Sequence, residues 1–310
     1  MKNSIKNSSE IEILRLMYYN TNFRKINGAN VANGALMEIK VRNIPTFKKR
    51  PLPVVEIFGN TIQGEGPRLR PAIFVRTGMC NLKCEGFGCT RIAPNGETIV
   101  GCDTIHAVSP KFKGTWKEYT KATDLIDDIN KIADSMLNAE GWIGGKPDVI
   151  LTGGEPTMHW DNEVLQETLK YFWSRNFHIT VETNASRLIE FTEDYQKDLQ
   201  FSMSVKLSVS GEPERKRLNF EAINNIIEHS NQSYFKFVVN PETWDETSKE
   251  ILNILDSTNS SNTQVFLMPL GETIEKQLKN TRFVFDVCAK YGFNFTPRAH
   301  ILAYNDMDGA

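Results

Sequence analysis

An alternation of apolar strand-like runs with helical patterns is the feature that most constrains the fold of this chain. Strand-like runs cover residues 72–76, 148–152, 177–182, 201–205, 234–240 and 265–268, and helical spacing recurs over 125–136, 165–172, 223–227, 251–255 and 272–291. Such alternation predicts an α/β fold with a parallel sheet and crossover helices. In these folds, ligands bind at the carboxyl ends of the strands.

The charge balance and the apolar runs exclude several classes of protein. The 310 residues carry 36 basic and 38 acidic side chains, a net charge of −2, which does not favour nucleic acid as a partner. No apolar run is long enough for a secretory signal or a membrane span. We therefore expect a cytoplasmic protein with no membrane partner.

Four of the five cysteines lie between positions 80 and 102. In a reducing compartment this clustering indicates metal or redox chemistry rather than disulfides. Cys80 and Cys84 follow a predicted strand, as expected for a loop that wraps around an iron–sulfur cluster. A structural zinc site is the alternative, although zinc sites usually combine closely paired cysteines in a small module. Cys288 lies on the apolar face of the last helix and is predicted to be a core thiol.

The spacing leaves two candidates for a third cluster ligand. Cys89 follows Cys84 after four residues, and Cys102 follows it after seventeen. Three cysteines on a four-iron cluster would leave one iron open for another ligand.

Polar segments follow the predicted strands. Thr152-Gly153-Gly154-Glu155 could bring backbone N–H groups to a carboxylate, and Glu155 could accept a hydrogen bond from an ammonium group. Asn184 and Lys206 end the next two strands. Because the ends of parallel strands converge, we expect one mouth lined by these residues, although Asn184 could merely cap a turn and Lys206 could point into solvent.

Several motifs together resemble the 7-carboxy-7-deazaguanine synthase family, in the family's order from residue 54 to near the C-terminus. They are EIFGNTIQGEGP (56–67), FVRTGMCNLKC (74–84), CDT (102–104), TGGEP (152–156), SVK (204–206), LMP (267–269) and PRAHI (297–301). The resemblance implies a radical S-adenosylmethionine enzyme with a partial (β/α) barrel, here residues 51–310. Residues 1–50 form an N-terminal extension that the resemblance does not cover.

The resemblance also implies a reaction. The family converts 6-carboxy-5,6,7,8-tetrahydropterin into 7-carboxy-7-deazaguanine with loss of ammonia, on the way to queuosine-type deazapurines. It uses a 4Fe–4S cluster with three cysteine ligands, S-adenosyl-L-methionine and Mg²⁺. The cofactor-derived 5′-deoxyadenosyl radical takes a hydrogen from the carbon that bears the carboxylate and later returns it. A homodimer and a reductant such as flavodoxin or ferredoxin are implied as well.

Residue roles are carried over position by position. The resemblance places the pterin against Ile62, Gln63, Gly64, Glu65, Arg76 and Thr152, with Gln63, Glu65 and Arg76 as the catalytic set. It places S-adenosylmethionine against Gly153, Gly154, Glu155, Asn184, Ser204, Val205, Lys206, Met268 and Pro269. The metal ligands are Cys80, Cys84 and Cys102 for the cluster and Thr104 for Mg²⁺.

The sequence departs from the family pattern in three places. Seventeen residues instead of two separate the second and third cluster cysteines, Val205 replaces a usual proline, and Ala185 stands where glycine is frequent. Cys102 is predicted as the third ligand because Asp103-Thr104 follows it, and Cys89 is then a spare thiol in an inserted loop. The competing functions are a glycyl-radical activase, which shares the cysteine segment and Gly-Gly-Glu, and a zinc-stabilised protein without catalysis.

Overall fold

A computed structural model of the chain describes residues 47–137 and 141–305. The predicted N-terminal extension lies outside the described residues up to position 46, so its separation from the catalytic domain stays a prediction. In the described part, eleven strands and eight α-helices follow one another.

The described elements alternate as the sequence predicts. The strands are β1 (Leu52–Ile62), β2 (Pro71–Thr77), β3 (Cys89–Ile92), β4 (Thr98–Gly101), β5 (Lys117–Tyr119), β6 (Asp148–Gly153), β7 (Ile179–Thr183), β8 (Gln200–Met203), β9 (Gln232–Val239), β10 (Gln264–Pro269) and β11 (Asn294–Phe295). The helices are α1 (Ile105–Val108), α2 (Ala122–Ser135), α3 (Glu163–Ser174), α4 (Glu214–Arg217), α5 (Phe220–His229), α6 (Trp244–Asp256), α7 (Ile274–Tyr291) and α8 (Ala299–Tyr304).

Nine of these strands form one sheet in the order β5-β1-β2-β6-β7-β8-β9-β10-β11. From β2 to β11 every neighbouring pair is parallel. The pairing leaves β5 and β11 as edges, so the sheet is open, as a partial barrel requires. The predicted α/β class is confirmed.

The β1 strand runs antiparallel to both of its neighbours, which the sequence analysis did not predict. A loop without a helix joins β1 to β2, and an antiparallel pair needs no crossover connection. In that loop Gly66 has a φ of +74°, and a Cβ atom there would meet the Tyr234 hydroxyl at 2.4 Å. Glycine therefore allows the chain to reverse close to β9.

The core lies between the sheet and the helices that cover it. The long strands are apolar and buried, and the fully buried Phe172, Phe201, Phe235 and Phe237 belong to one large cluster. At about 25 cal/mol per Å² of buried apolar surface, such rings dominate the stability of the fold. The helices fix the sheet from outside and leave the carboxyl ends of its strands open.

Across the described residues, we find no helix with both the length and the apolar character needed to cross a membrane.

Candidate active site

The carboxyl ends of the parallel strands border one pocket, as the strand order predicts. Its lining includes four of the cysteines, five carboxylates and four lysine or arginine side chains, which come from segments distant in sequence. Sixteen of the predicted site residues line it: Gln63, Glu65, Arg76, Cys80, Cys84, Cys102, Thr104, Thr152, Gly153, Gly154, Glu155, Asn184, Ser204, Lys206, Met268 and Pro269. The structure thus brings most of the predicted set together.

Three predicted residues do not line the pocket. Ile62 is 49% exposed at the end of β1, and the Val205 side chain is buried in the core cluster. Gly64 instead packs against the C-terminal segment, where a Cβ atom would lie 2.6 Å from His300 Nδ1. Gly64 therefore allows His300 to approach, and His300 does line the pocket.

A β-hairpin brings Cys102 to the cysteine loop. The strands β3 and β4 pair with Cys89 opposite Gly101, so Cys102 follows directly after the last pair of the ladder. The predicted turn at 94–96 is confirmed, since the Gly96 N–H donates to Ala93 O at 2.8 Å. The inserted residues thus form a hairpin rather than an irregular loop, and its two ends lie close together.

The cysteine loop contains two residues in the left-handed backbone region. Met79 has a φ of +79° and Cys84 a φ of +54°, and each immediately precedes or occupies a predicted ligand position. Non-glycine residues adopt this region only at a cost, which the surrounding structure must offset. Met79 N–H donates to Ala107 O, and Met79 O accepts from Glu155 N–H, both at 2.8 Å. The loop is therefore held by its neighbours.

Burial governs the acidity of the thiols. It raises the pKa of Cys80 well above the usual range for cysteine, raises that of Cys84 to about 11 and raises that of Cys102 as well. Cys84 and Cys102 also disfavour ionisation of Cys80, and Cys102 disfavours that of Cys84, whereas Lys206 favours ionisation of Cys84 and Cys102. Protein groups alone leave these thiols neutral, and a bound metal centre would supply the positive charge that thiolates require.

The donor set suits a cluster better than a single ion. Within residues 47–137 and 141–305, no three His, Cys, Asp or Glu side chains are arranged as ligands of one metal ion. A four-iron cluster makes a different demand, because each cysteine binds a different iron and the sulfur atoms stand further apart. Cys80, Cys84 and Cys102 on the wall of one pocket fit that demand.

The Gly-Gly turn after β6 does not offer its N–H groups to a ligand. Gly154 N–H donates to Thr77 O at 3.1 Å, and Glu155 N–H donates to Met79 O. The interpretation of these groups as free carboxylate-binding donors is wrong. A Cβ atom on Gly154 would lie 2.2 Å from Met79 O, so glycine is needed here for the close approach of the cysteine loop.

Glu155 joins the turn after β6 to the turn after β7. Its carboxylate is 1% exposed and accepts from both Thr157 N–H (3.1 Å) and the Thr183 hydroxyl (2.7 Å) on Oε1. Oε2 accepts from Asn184 N–H at 2.7 Å. A buried carboxylate needs such donors. Glu155 thus fixes Asn184, whose side-chain amide donates to Asn81 Oδ1 at 3.0 Å beside Cys80.

A buried ionic network, which sequence reasoning missed, occupies another wall. Lys236 of β9 forms ion pairs with Glu65 and, at 3.8 Å, with Glu182, while Arg298 pairs with Glu65 at 3.1 Å and with Asp103 at 2.8 Å. Burial opposes ionisation of Glu65, but the charges of Lys236 and Arg298 outweigh it and hold the Glu65 pKa well below its usual range. Glu65 is therefore an ionised acceptor at neutral pH.

Glu182 connects two of the predicted substrate residues. Its Oε1 accepts from Gln63 Nε2 at 3.1 Å, and its Oε2 accepts from the Thr152 hydroxyl at 2.8 Å. The three side chains come from β1, β6 and β7 or their ends. A lone lysine in the apolar run of β9 is the signal that could have revealed the network, because a buried ammonium group needs carboxylate partners.

Arg76 is already anchored to a carboxylate of the protein. Its Nε donates to Glu56 Oε1 at 2.6 Å, and its guanidinium lies 5.8 Å from the centroid of the Phe58 ring. Burial raises the pKa of Glu56, but the hydrogen bond from His106 and the charge of Arg76 outweigh it and lower that pKa to about 2. Glu56 thus binds the Nε edge of the guanidinium of Arg76, which lines the pocket.

His106 extends this arrangement to the hairpin. Arg91 NH1 lies 2.5 Å from His106 Nδ1, and a guanidinium can only donate, so Nδ1 accepts and Nε2 carries the proton. His106 Nε2 then donates to Glu56 Oε1 at 3.4 Å. The hairpin insertion therefore supports the residue that anchors Arg76.

Comparison with known proteins identifies the family. A 7-carboxy-7-deazaguanine synthase from Halobacterium salinarum is 30% identical over 274 residues, covering 82% of this chain and 91% of that protein. One from Pyrobaculum aerophilum is 27% identical over 258 residues, covering 83% and 96%. The chain belongs to the 7-carboxy-7-deazaguanine synthase family. It is thus a lyase of the radical S-adenosylmethionine superfamily.

The fold agrees with that membership. The crystal structure of QueE from Escherichia coli superimposes with a TM-score of 0.52 at 21% identity, covering 80% of this chain and 93% of that one. At this identity the likeness concerns the fold alone. No family model matches the chain.

The departures from the 7-carboxy-7-deazaguanine synthase pattern now have structural counterparts. The seventeen-residue gap is the β3–β4 hairpin. Ala185, where the family often has glycine, has a φ of +55°, a conformation that glycine adopts without a steric penalty. Val205 points into the core rather than the pocket, so replacing proline by valine there leaves the pocket lining unchanged.

Proposed function

We propose that this chain converts 6-carboxy-5,6,7,8-tetrahydropterin into 7-carboxy-7-deazaguanine with release of ammonia, as a step in deazapurine biosynthesis of the preQ0 or queuosine type. The observation that carries the proposal is one pocket, in a chain of this family, that is lined by two sets of side chains. The thiol wall consists of the predicted cluster ligands Cys80, Cys84 and Cys102, and the carboxylate wall consists of Glu65, Asp103 and Glu182. The relatives carry the name of that activity.

Cys80, Cys84 and Cys102 would hold the 4Fe–4S cluster, and the polar side chains of Asn184, Ser204 and Lys206 would face S-adenosylmethionine. Glu155, whose two carboxylate oxygens accept from protein donors, would hold Asn184 in place. When bound, the reduced cluster supplies the electron that splits this cofactor. Met268 and Pro269 at the end of β10 offer an apolar surface for its adenosine. Gly153 and Gly154 contribute by letting the cysteine loop approach.

The pterin would bind at the carboxylate wall. Glu65 is held ionised and can accept from the amino and ring N–H groups of a pterin. Gln63 is oriented by Glu182, which fixes its amide for a donor–acceptor edge. Burial of both side chains excludes water from the substrate and strengthens these hydrogen bonds.

Replacing Arg76 by alanine is expected to raise the KM for the pterin about 10- to 100-fold. A hydrogen bond to a charged group contributes about 1.5–3 kcal/mol, and Arg76 would donate to the substrate carboxylate. Steady-state kinetics and iron analysis check this. Arg76→Lys, which keeps the charge but not the planar fork, should recover only part of the loss. An unchanged KM together with unchanged cluster content would rule out this role.

Replacing Thr104 by valine is expected to abolish most of the stimulation of turnover by Mg²⁺. The Thr104 hydroxyl lines the pocket and lies 3.3 Å from Cys102 Sγ, and Mg²⁺ prefers oxygen ligands. Thr104→Ser keeps a hydroxyl and is the matched control, which should respond to Mg²⁺ as the parent does. The absorption of the cluster should be the same in all three proteins. Equal Mg²⁺ dependence in the valine variant and the parent would contradict the assignment.

The reaction itself tests the proposal. Anaerobically reconstituted protein is incubated with the carboxytetrahydropterin, S-adenosylmethionine, Mg²⁺ and a reductant, and product and ammonia are measured. We expect both in equal amounts. Brown protein that cleaves the cofactor without forming product would favour a glycyl-radical activase, and colourless zinc-containing protein would favour the non-catalytic alternative.

We further propose a homodimer that receives its electron from flavodoxin or ferredoxin. Both rest on the family resemblance. Sedimentation of the purified protein and turnover with each reduced carrier test them.

A further inference from the structure

We infer that Glu212 is a positioning residue for the iron–sulfur centre, which holds the backbone of Cys84 and lowers the reduction potential of the cluster. The inference rests on the proposed function, in which Cys84 is a cluster ligand. It concerns a residue that lies outside all the motifs shared with the family and does not line the pocket.

The Glu212 carboxylate binds the cysteine loop through its backbone. Glu212 Oε1 accepts from Lys83 N–H at 2.5 Å and from Cys84 N–H at 3.0 Å. Cys84 has left-handed dihedral angles (φ 54°, ψ 45°), which a side chain disfavours by about 1–2 kcal/mol. Two hydrogen bonds to a charged acceptor at this point can offset that cost. Glu212 therefore stabilises the conformation that presents the Cys84 sulfur.

The segment that carries Glu212 is packed directly against the loop that it holds. A Cβ atom on Gly86 would lie 2.3 Å from Val209 O, and Gly211 has a φ of +77°, so both glycines permit the contact. This segment follows Ser204 and Lys206, the residues proposed to face S-adenosylmethionine. The cofactor side of the pocket and the second cluster ligand are thus joined through residues 208–212.

The charge of Glu212 is not balanced by a cation. Among residues 47–137 and 141–305 it forms no ion pair, and its contacts with the loop are made to neutral N–H groups. Reduction adds an electron to the cluster, so a nearby carboxylate disfavours it. In addition, the Cys84 N–H donates to Glu212. It is therefore not available to donate to a cluster sulfur, and such a hydrogen bond would favour reduction.

A lower reduction potential would matter for activity, because splitting S-adenosylmethionine requires a strongly reducing cluster. A lower potential increases the driving force for electron transfer to the cofactor. Glu212 would thus serve the chemistry without touching either substrate.

The test compares Glu212→Gln, Glu212→Ala and Glu85→Gln. Glutamine keeps an acceptor oxygen and removes the charge, whereas alanine removes both. Glu85 is the matched control, since it adjoins Cys84 and carries the same charge on a side chain that is 63% exposed. In a reductive titration of the reconstituted proteins followed by electron paramagnetic resonance, we expect Glu212→Gln to favour reduction about tenfold, or ~59 mV for a one-electron couple. Glu85→Gln should shift the potential far less, and Glu212→Ala should hold less iron.

A second measurement needs no cluster. Hydrogen exchange of the Lys83 and Cys84 amides in the metal-free protein should be about tenfold faster in Glu212→Ala and nearly unchanged in Glu212→Gln. Equal potential shifts in Glu212→Gln and Glu85→Gln, or equal exchange in parent and alanine variant, would overturn the inference. A parent protein that assembles no four-iron cluster would overturn the proposed function and the effect on potential, while the exchange comparison still decides whether Glu212 holds the loop.

Discussion

Replacing Cys102 by alanine is expected to abolish both the four-iron cluster and turnover, whereas replacing Cys89 by alanine should preserve both. Cys102 follows the end of the hairpin ladder and lines the same pocket as Cys80 and Cys84. The Cys102 thiol also lies 3.3 Å from the Thr104 hydroxyl, which places the third cluster ligand beside the proposed Mg²⁺ ligand. A cluster left with two thiolates and water in place of the third is exposed to loss of iron.

Cys89 is the matched control, because it faces the same pocket from the opposite strand of the hairpin. It packs against the small apolar cluster of Ala93, Ile105, Phe112 and Trp116, as a spare thiol would. Iron and sulfide content and turnover are measured after anaerobic reconstitution of both variants. A cluster that survives in Cys102→Ala and is lost in Cys89→Ala would reverse the assignment and remove the argument for Thr104 as a metal ligand.

Replacing Lys236 by methionine is expected to lower the free energy of unfolding by about 3–5 kcal/mol and to reduce turnover strongly. Lys236 is 5% exposed and neutralises Glu65 and Glu182, so its loss leaves buried carboxylate charge with fewer partners. The Lys236 pKa is raised above its usual value, because the attraction of the two carboxylates outweighs burial. Its contribution to stability is therefore present below about pH 10 and is lost as the pH rises further.

Urea unfolding of the cluster-free protein measures this effect. Lys249→Met, a charge loss on an exposed position of α6, is the control and should change stability by less than about 0.5 kcal/mol. Combining Lys236→Met with Glu65→Gln should restore part of the loss, since the double variant leaves less unpaired charge. A loss below 1 kcal/mol in Lys236→Met would show that the network does not depend on this lysine.

The parallel part of the fold could be predicted from sequence because its strands are buried on both faces. Continuous apolar runs located β2, β6, β8, β9 and β10 to within two residues, and alternation with helices gave their parallel pairing. The antiparallel β1 was not predicted, because Glu56 and Asn60 interrupt its apolar run and its burial follows no regular period. The hairpin β3–β4 escaped because four-residue strands give little periodic signal, and their register depends on packing.

The candidate site, like the fold, has a part that the sequence predicts and a part that it does not. Residue types with specific chemistry at strand ends predicted most of the pocket lining, because parallel strands end at one edge of the sheet. Partners within the pocket were not predictable: Arg76 with Glu56, Lys236 with Glu65, and Glu155 with Asn184 are pairs distant in sequence. The backbone N–H groups of the Gly-Gly turn were predicted to be free for a ligand. Their acceptors, Thr77 O and Met79 O, lie about 75 residues earlier in the chain, so the sequence around the turn could not reveal them.

The central claim is that the thiol wall and the carboxylate wall of one pocket act on the same pterin. Substrate labelled with deuterium at the carbon that bears the carboxylate tests it most directly. Mass spectrometry should find 7-carboxy-7-deazaguanine as product and deuterium in the 5′-deoxyadenosyl part of the recovered cofactor, because the hydrogen is taken and returned between the two walls. Absence of that product, or its formation with the cofactor unlabelled, would contradict the account.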